Sequence, residues 1–255
     1  MKKAFSLVEL SIVLVILGLL TGGILAGQSL IHAAELRAVS TEYQRYLVAT
    51  RSFRDKYFAI PGDFNNAQAF WGQSTVCGGA AATGACNGNN DGQVTFAGTA
   101  GATAEGFQFW RQLALAGLIE GNYTGSAAAG SGYLHVANSN APGSRFPSGV
   151  WCVFYTGVYA GDGTMYTLDF GNEFILGAVS TSVPGDPLLK PEDLWNIDTK
   201  LDDGKPGSGN VVARDAIGFG NAGSCTTSAS KSDFTGSYNL SVTSPACDLY
   251  IRKQF

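Results

Sequence analysis

The sequence predicts an α+β fold, with a long N-terminal helix followed by an antiparallel β-sheet with loop-rich insertions. An apolar run extends over residues 5–31, and apolar residues then recur at three- and four-residue steps as far as Tyr57. After Gly125 short alternating runs are separated by glycine- and serine-rich turns. The change from a helical to an alternating period predicts a helix first and a sheet afterwards.

The composition restricts the chain to one sizeable domain, or to a small domain with an extended element. Charged residues make up 14% of the 255 residues, and 34 residues are glycine. Soluble domains usually have about 25% charged residues and about 7% glycine. The net charge of −4 and the lack of basic clusters beyond position 3 argue against a nucleic-acid-binding protein.

The apolar run of residues 5–31 is long enough to cross a membrane, because about twenty helical residues span the roughly 30 Å hydrocarbon core. Two lysines precede it and would stay in the cytoplasm, so the remainder would be exported. A secretory signal cleaved near Ala26 is the rival interpretation. Glu9 argues against it, since a carboxylate in an apolar core costs about 2.5 to 3.5 kcal/mol unless it is paired.

From Ala34 the predicted helix becomes amphipathic. Pro61 and Gly62 predict that it stops near Tyr57, which gives a helix of roughly 75 to 80 Å at about 1.5 Å per residue. Its predicted apolar face consists of Leu36, Val39, Tyr43, Leu47, Thr50, Phe53 and Tyr57.

Two shorter helices and four strands complete the predicted elements. One helix carries Phe107, Trp110, Leu113, Leu118 and Ile119, and the other starts near Pro191. The predicted strands are the runs YLHVA, GVWCVFYTGVY, MYTLDF and EFILGAV, at residues 133–137, 149–159, 165–170 and 173–179.

The N-terminal stretch KKAFSLVELSIVLVILGLL resembles the signal of type IV prepilins and of the pseudopilins of type II secretion systems. A short basic leader, a phenylalanine and a glutamate four residues later occur together in that signal. The resemblance implies that a prepilin peptidase cuts between Ala4 and Phe5 and methylates the amino group of Phe5. The sequence departs from the family at two points. It has Ala4 where glycine is usual, and it has glycines where a proline often kinks the helix (Gly18, Gly22, Gly23 and Gly27).

The resemblance also implies a division of the chain. Residues 1–4 would be the leader, 5–31 the membrane or filament-core half of the helix, and 32–58 its amphipathic half, covered by the sheet of a β-rich head at 59–255. The protein would be a single-pass inner-membrane protein before assembly and an extracellular or periplasmic filament afterwards. Its partners would be other copies of itself, minor pilins, the prepilin peptidase and the inner-membrane assembly platform.

Glu9 receives a role from this resemblance. In a filament its carboxylate would neutralise the amine of Phe5 in a neighbouring subunit, and the buried pair would set register more than it adds stability. In the alternative, Glu9 belongs to a plain membrane anchor and reaches the interface. If a Glu9→Ala chain assembled normally beside the wild type, the assembly role would be wrong.

Three functions remain open at this stage. The favoured one is a pilus subunit, because the exported body is larger than a usual major pseudopilin. A secretion pseudopilin is the alternative, and a membrane-anchored binding module or enzyme is a third hypothesis. No enzyme is expected, because the two histidines, His32 and His135, have no catalytic or metal partner near them in sequence. The GxGxxG pattern at Gly218, Gly220 and Gly223 lacks a βαβ context.

The five cysteines form no CxxC pair, which disfavours zinc knuckles and redox motifs. In an exported body, the disulfides with the shortest loops would join Cys77 to Cys86 and Cys225 to Cys247. The second would bound a C-terminal loop of the kind that pilins expose. Cys152 lies in an apolar stretch and is expected to be a buried structural thiol.

Two acidic loops are candidate calcium sites, although no cofactor is required. Asn87, Asn89 and Asp91 alternate before Gly92, as oxygen ligands do in calcium-binding turns. The glutamate usual for such a loop is replaced by Gly98, and Glu105 would need a different loop geometry. The second loop offers Asp198, Asp202 and Asp203 and is similar to the acidic calcium loop of major pseudopilins. Solvated turns are the alternative for both.

Overall fold

The computed structural model describes residues 7–96, 104–128, 134–159, 163–179, 183–215, 224–228 and 230–255. Helix α1 extends over Leu7–Tyr57, followed by the short helix α2 at Ala67–Trp71 and a 3-10 turn at Thr75–Cys77. Helix α3 comprises Glu105–Leu115, and helix α4 comprises Pro191–Leu201. The leader with Ala4, and Phe5 after it, lie outside the described residues, as do Gly98 and the three glycines of the GxGxxG pattern.

Helix α1 ends at Tyr57, as the sequence predicts. The Phe58 N–H donates to the carbonyl of Arg54 at 2.8 Å, and Phe58 itself has φ +54° in the left-handed region. Most of the predicted apolar face is buried, with Leu47 and Tyr57 only partly so. The prediction missed three buried residues of the helix, namely Glu42, Tyr46 and Ala49.

The sheet has four antiparallel strands in the order β1-β2-β4-β3. Their bounds are Gly149–Tyr155 for β1, Asn172–Ala178 for β2, Val211–Asp215 for β3 and Cys247–Ile251 for β4. The last strand lies between β2 and β3, so the C-terminal segment occupies an interior position in the sheet.

Two predicted strands are wrong. In the YLHVA run, of which Tyr133 lies outside the described residues, only Ala137 forms an isolated bridge, to Ala141. In the MYTLDF run, only Asp169 forms one, to Val158. Met165, Tyr166 and Phe170 are nevertheless buried against the outer face of the sheet, so this apolar pattern reflects a loop that covers the sheet. Strands β3 and β4 were not predicted.

The main core lies between the sheet and the second half of α1. Successive strand residues point to opposite faces, so Phe174 and Leu176 join the core with α1 whereas Ile175 faces outward. Tyr46 connects three elements, because its ring meets Trp110 of α3 at 5.0 Å and Trp151 of β1 at 5.7 Å between centroids, both edge to face.

The turn after α1 is held close to α3 by Gly62. A Cβ at this position would lie 2.3 Å from the carbonyl oxygen of Glu105, and Gly62 has φ +86°. Its N–H donates to the side chain of Gln112 at 2.7 Å. Only glycine fits this approach, which brings Asp63 beside the start of α3.

Candidate functional sites

The first half of α1 is the largest exposed apolar surface among the described residues. From Leu7 to Ile31 the helix has mean hydropathy 2.4 in its most apolar 18-residue window, and none of that window is buried. Leu7, Leu19 and Leu30 are 88%, 73% and 72% exposed. The helix is long and apolar enough to span a membrane, although a signal sequence has the same properties.

The hydroxyl groups in this half bond within the helix itself. Ser11, Thr21 and Ser29 donate to backbone carbonyls three or four residues earlier, at 2.9 to 3.0 Å. Glu9 lies in the first turn on the exposed surface and is the sole Asp, Glu, Lys or Arg of residues 7–31. These three hydroxyl groups are therefore compatible with an apolar environment, and Glu9 is the one ionisable side chain of this half.

His32 connects the two halves of α1 to the head. Its Nε2 lies 2.7 Å from Oδ1 of Asp193 in α4, and its Nδ1 lies 3.6 Å from Glu35. The expectation that His32 lacks a partner holds only along the sequence, because Asp193 is 161 residues away. This contact fixes the point at which the helix enters the head.

Glu42 attaches α1 to β1 and to the loop before it. Its carboxylate accepts hydrogen bonds from the Ser144 hydroxyl at 2.7 Å, the Arg145 N–H at 2.8 Å and the Trp151 indole N–H at 2.9 Å. Three donors compensate the desolvation of this buried carboxylate. The sequence prediction missed it because a glutamate interrupts an otherwise apolar face.

The first acidic loop forms a cluster that differs from the predicted ligand set. Asp91 is joined by Asp63 and Glu105, with one carboxylate oxygen from each within 4.8 Å of the others. Asn87 instead accepts from the Gln68 N–H at 2.9 Å, and Asn89 accepts from the Asp91 N–H at 3.0 Å.

The carboxylates of this cluster already serve as acceptors for the surrounding backbone. Asp63 accepts from the N–H groups of Asp91 and Gly92, and Glu105 accepts from those of Asn89 and Thr95. Burial raises the pKa of Asp63, and these hydrogen bonds oppose the shift. The cluster thus has a structural role without an ion, and the sequence signal for Asp63 was only its place after Pro61 and Gly62.

The second acidic loop brings Asp198, Asp202 and Asp203 together, again with one oxygen from each within 4.8 Å. Asp198 is fully buried at the end of α4, and its Oδ2 accepts from the Tyr238 hydroxyl at 2.8 Å. Its Oδ1 has no hydrogen-bond partner among the described residues. Burial, with the neighbouring carboxylates adding to it, raises the pKa of Asp198 to about 7. Among these three carboxyl groups, that of Asp198 is the one with a buried oxygen that lacks a hydrogen bond.

Two disulfides are present, between Cys77 and Cys86 and between Cys225 and Cys247, with Cα separations of 5.9 and 5.2 Å. The second links the segment after β3 to the first residue of β4. Cys152 is free and fully buried, and burial raises the pKa of its thiol, with a further contribution from Glu173. A thiol in this environment is unreactive.

The outer face of the sheet buries ionisable groups that the sequence analysis did not identify. Glu173 is fully buried, accepts from the Thr156 hydroxyl, and has no second partner for Oε2 among the described residues. Burial raises the pKa of Glu173 to about 8. Asp248 is also fully buried, and its pKa is raised for the same reason. With a pKa of about 8, the carboxyl group of Glu173 is largely neutral near pH 7.

Comparison with protein-family models, with curated proteins and with solved structures found no match to this chain.

Proposed function

We propose that this chain is a structural subunit of a type IV pilus-like filament, cleaved between Ala4 and Phe5 and polymerised through its N-terminal helix. The observation that supports this most is the contrast within α1: residues 7–31 are apolar on every side and exposed, whereas the second half is covered by the head. In this proposal, the exposed apolar half of α1 requires an apolar environment. Lipid supplies it before assembly, and the same helix of neighbouring copies supplies it in the filament.

Glu9 would set the register of this assembly. In the proposed filament its carboxylate meets the N-methylated amine of Phe5 from a neighbouring copy, because neither charge is tolerated alone in an apolar core. The protein would be held in the inner membrane before assembly and handled there by a prepilin peptidase and an assembly platform. It would carry out no chemistry itself, and its head would display a surface.

The test is intact mass and N-terminal peptide mapping of protein sheared from cells that express the full chain. A chain that begins with N-methylated Phe5 in the sheared filament fraction is the expected result. A chain that retains Met1 in the membrane fraction would indicate a plain anchor, and a start near Gly27 would indicate conventional secretion. Processed protein found only in the periplasm would favour a secretion pseudopilin.

Calcium at the second acidic loop is part of this proposal. Asp198, Asp202 and Asp203 would hold the ion, and the unpartnered Oδ1 of buried Asp198 is the observation that favours it. The ion would neutralise three close carboxylates and fix the turn between α4 and β3. The first acidic loop lacks such an oxygen among its carboxylates, because backbone N–H groups already occupy Asp63 and Glu105.

A further inference from the structure

The base of the head contains a basic groove beside α1, with a volume of about 320 Å³. This arginine groove is lined by Ala34, Arg37, Ala38, Thr41, Glu42, Arg45 and Arg145. Three of the residues that α1 contributes have small side chains, which leave room for a ligand beside the helix. The carboxylate of Glu42 already accepts from three donors of the chain. It is therefore engaged elsewhere and does not pair with the arginines.

Two of the three guanidinium groups have no partner within the described part of the chain. The side chains of Arg37 and Arg145 are exposed and have neither a hydrogen bond nor a carboxylate within ion-pair distance among the described residues. Arg45 differs, because its Nη2 donates to the Tyr46 hydroxyl at 3.2 Å and it lies within electrostatic reach of Glu120. Arg37 and Arg145 are therefore the unneutralised cations of the groove.

The acidic residues Glu35, Glu192 and Asp193 lie at this end of the head but do not line the groove. Glu35 and Asp193 both contact His32, at 3.6 and 2.7 Å, and Glu192 precedes Asp193 in the first turn of α4. Arg37 is two residues after Glu35, and side chains at this spacing point to different sides of a helix. Negative charge is therefore concentrated where α1 meets α4, and positive charge in the groove.

The groove begins where the apolar half of α1 ends. Ala34 and Arg37 are three and six residues after Ile31, which corresponds to about 4.5 and 9 Å along a helix at 1.5 Å per residue. A bilayer has a headgroup layer of roughly 5 to 7.5 Å on each side of its hydrocarbon core. Helical side chains tilt towards the N-terminus of their helix, so the guanidinium group of Arg37 points back towards this layer. When residues 7–31 span a membrane, this end of the groove therefore lies at the level of the phospholipid phosphates.

We infer that the arginine groove binds the headgroup of an anionic phospholipid, from the leaflet on the side of the head, while the chain is anchored in the membrane. The inference rests on the membrane anchor within the proposed function and does not depend on filament formation. Planar guanidinium groups match the oxygens of a phosphate diester, so Arg37 and Arg145 would donate to it. A zwitterionic headgroup is a poorer ligand, because its own ammonium group compensates the phosphate.

Binding of this lipid would connect two elements of the head. Arg37 belongs to α1, whereas Arg145 belongs to the loop before β1, whose backbone N–H is held by Glu42 at 2.8 Å. A phosphate between the two guanidinium groups would hold the loop against α1 and fix the base of the head at the membrane surface.

The first test is native mass spectrometry of the full chain released from nanodiscs that contain equal amounts of phosphatidylglycerol and phosphatidylcholine. The wild type should retain phosphatidylglycerol in preference. Arg37→Gln combined with Arg145→Gln should lower this preference at least about fivefold, because both free cations are lost. Lys2 and Lys3 are present in both chains, so the difference between them reports the groove.

The matched control is Arg51→Gln combined with Arg54→Gln, which removes two exposed charges from the far end of the same helix. It should retain the preference of the wild type. The groove variant should keep the melting temperature of the wild type, because both of its arginines are exposed and unbonded.

Equal retention of the two lipids by the wild type, or an unchanged preference in the groove variant, would overturn the inference and leave the proposed function intact. Displacement of phosphatidylglycerol by millimolar inorganic phosphate would assign the groove to a soluble phosphate and also overturn it. If the wild-type chain did not insert into nanodiscs, the membrane anchor would be wrong, and the inference would fail with it.

The second test locates the lipid by photo-cross-linking from Ala38→Cys labelled with a benzophenone maleimide. The label reaches one site, because Cys152 is buried and the other cysteines are in disulfides. Illumination in phosphatidylglycerol membranes should give a lipid adduct that disappears when Arg37→Gln and Arg145→Gln are added. The same label at Val48→Cys, farther from the membrane, should give none. An adduct at position 38 that persists without the two arginines would contradict their role in binding.

Discussion

The two halves of α1 form one continuous helix, but they differ in whether the rest of the chain covers their apolar side chains. Residues 7–31 expose large apolar side chains on all sides, whereas in residues 32–57 the inward positions are buried and most of the outward ones are polar. Their acidic residues differ in the same way, since Glu42 has three donors inside the chain and Glu9 lies on the exposed surface. The second half is therefore covered within the chain, whereas the first half presents an exposed apolar surface long enough to span a membrane.

The largest effect should come from Phe53→Ala in the covered half. Phe53 is fully buried and contacts Tyr57 and Phe64, with ring centroids 4.5 and 6.0 Å away. Loss of the ring leaves a cavity in the core, which should lower the free energy of unfolding by about 3 to 5 kcal/mol. Thermal and denaturant unfolding of the full chain in detergent measure this decrease in the free energy of unfolding. A loss below 1 kcal/mol would mean that this half is not packed as described.

Calcium should stabilise the head and leave the first half of α1 unaffected. At one hundred times its dissociation constant, an ion that binds only the folded state adds about 2.7 kcal/mol. Asp198→Asn should abolish the increase in melting temperature, because it removes one charged ligand. Asp91→Asn is the matched control and should retain it. An increase that survives Asp198→Asn would place the ion elsewhere.

The pH dependence of the head should depend on Glu173. Its pKa is about 8 in the folded protein and 4.5 ordinarily, so the folded state keeps a proton that the unfolded chain releases. The stabilisation is therefore complete below about pH 4.5 and is lost as the pH rises towards 8.

Glu173→Gln tests this dependence, because glutamine has no proton to lose. At pH 8 it should unfold with a free energy about 1 to 3 kcal/mol higher than that of the wild type, and its stability should vary less with pH. Unfolding measured at pH 5 and pH 8 decides the matter. An identical pH slope in both proteins would show that another group is responsible.

The smallest effect on the head should come from Leu17→Ala in the exposed half. Leu17 is 51% exposed, so its truncation should change the free energy of unfolding by less than about 0.5 kcal/mol. This substitution is the counterpart of Phe53→Ala on the same helix. A loss of several kcal/mol would show that the first half contacts the head in solution.

Local signals located α1, α3 and α4, but they missed the short helix α2, and Leu118 and Ile119, which were predicted to lie on a helix, follow the end of α3 at Leu115. The three- and four-residue spacing of the apolar residues and the Pro61-Gly62 pair predicted where α1 ends. Pro191 predicted where α4 begins. Both were successful because these signals act on neighbouring residues. Strands β3 and β4 were missed because Arg214 and Asp248 interrupt their apolar pattern. Both residues are buried on the outer face, and the loop that covers this face is far away in sequence.

The candidate sites also depend on residues that are distant in sequence. The sequence identified Asp91 and Glu105 but not Asp63, which joins them only because Gly62 allows its turn to approach α3. The donors to Glu42 are more than one hundred residues away, and His32 and Asp193 are 161 apart. Partners at such separations follow from tertiary packing, which no local pattern encodes.

The most direct test of the account is oxidative cross-linking of single cysteines along the exposed half of α1, for example Val13→Cys and Ile24→Cys. Four native cysteines are in disulfides and Cys152 is buried, so the unsubstituted chain is a suitable background and control. The account predicts intermolecular disulfides in the sheared filament fraction at positions within residues 7–31. Filaments that form normally but give only monomers at every position would contradict the claim that equivalent helices complete this half of α1.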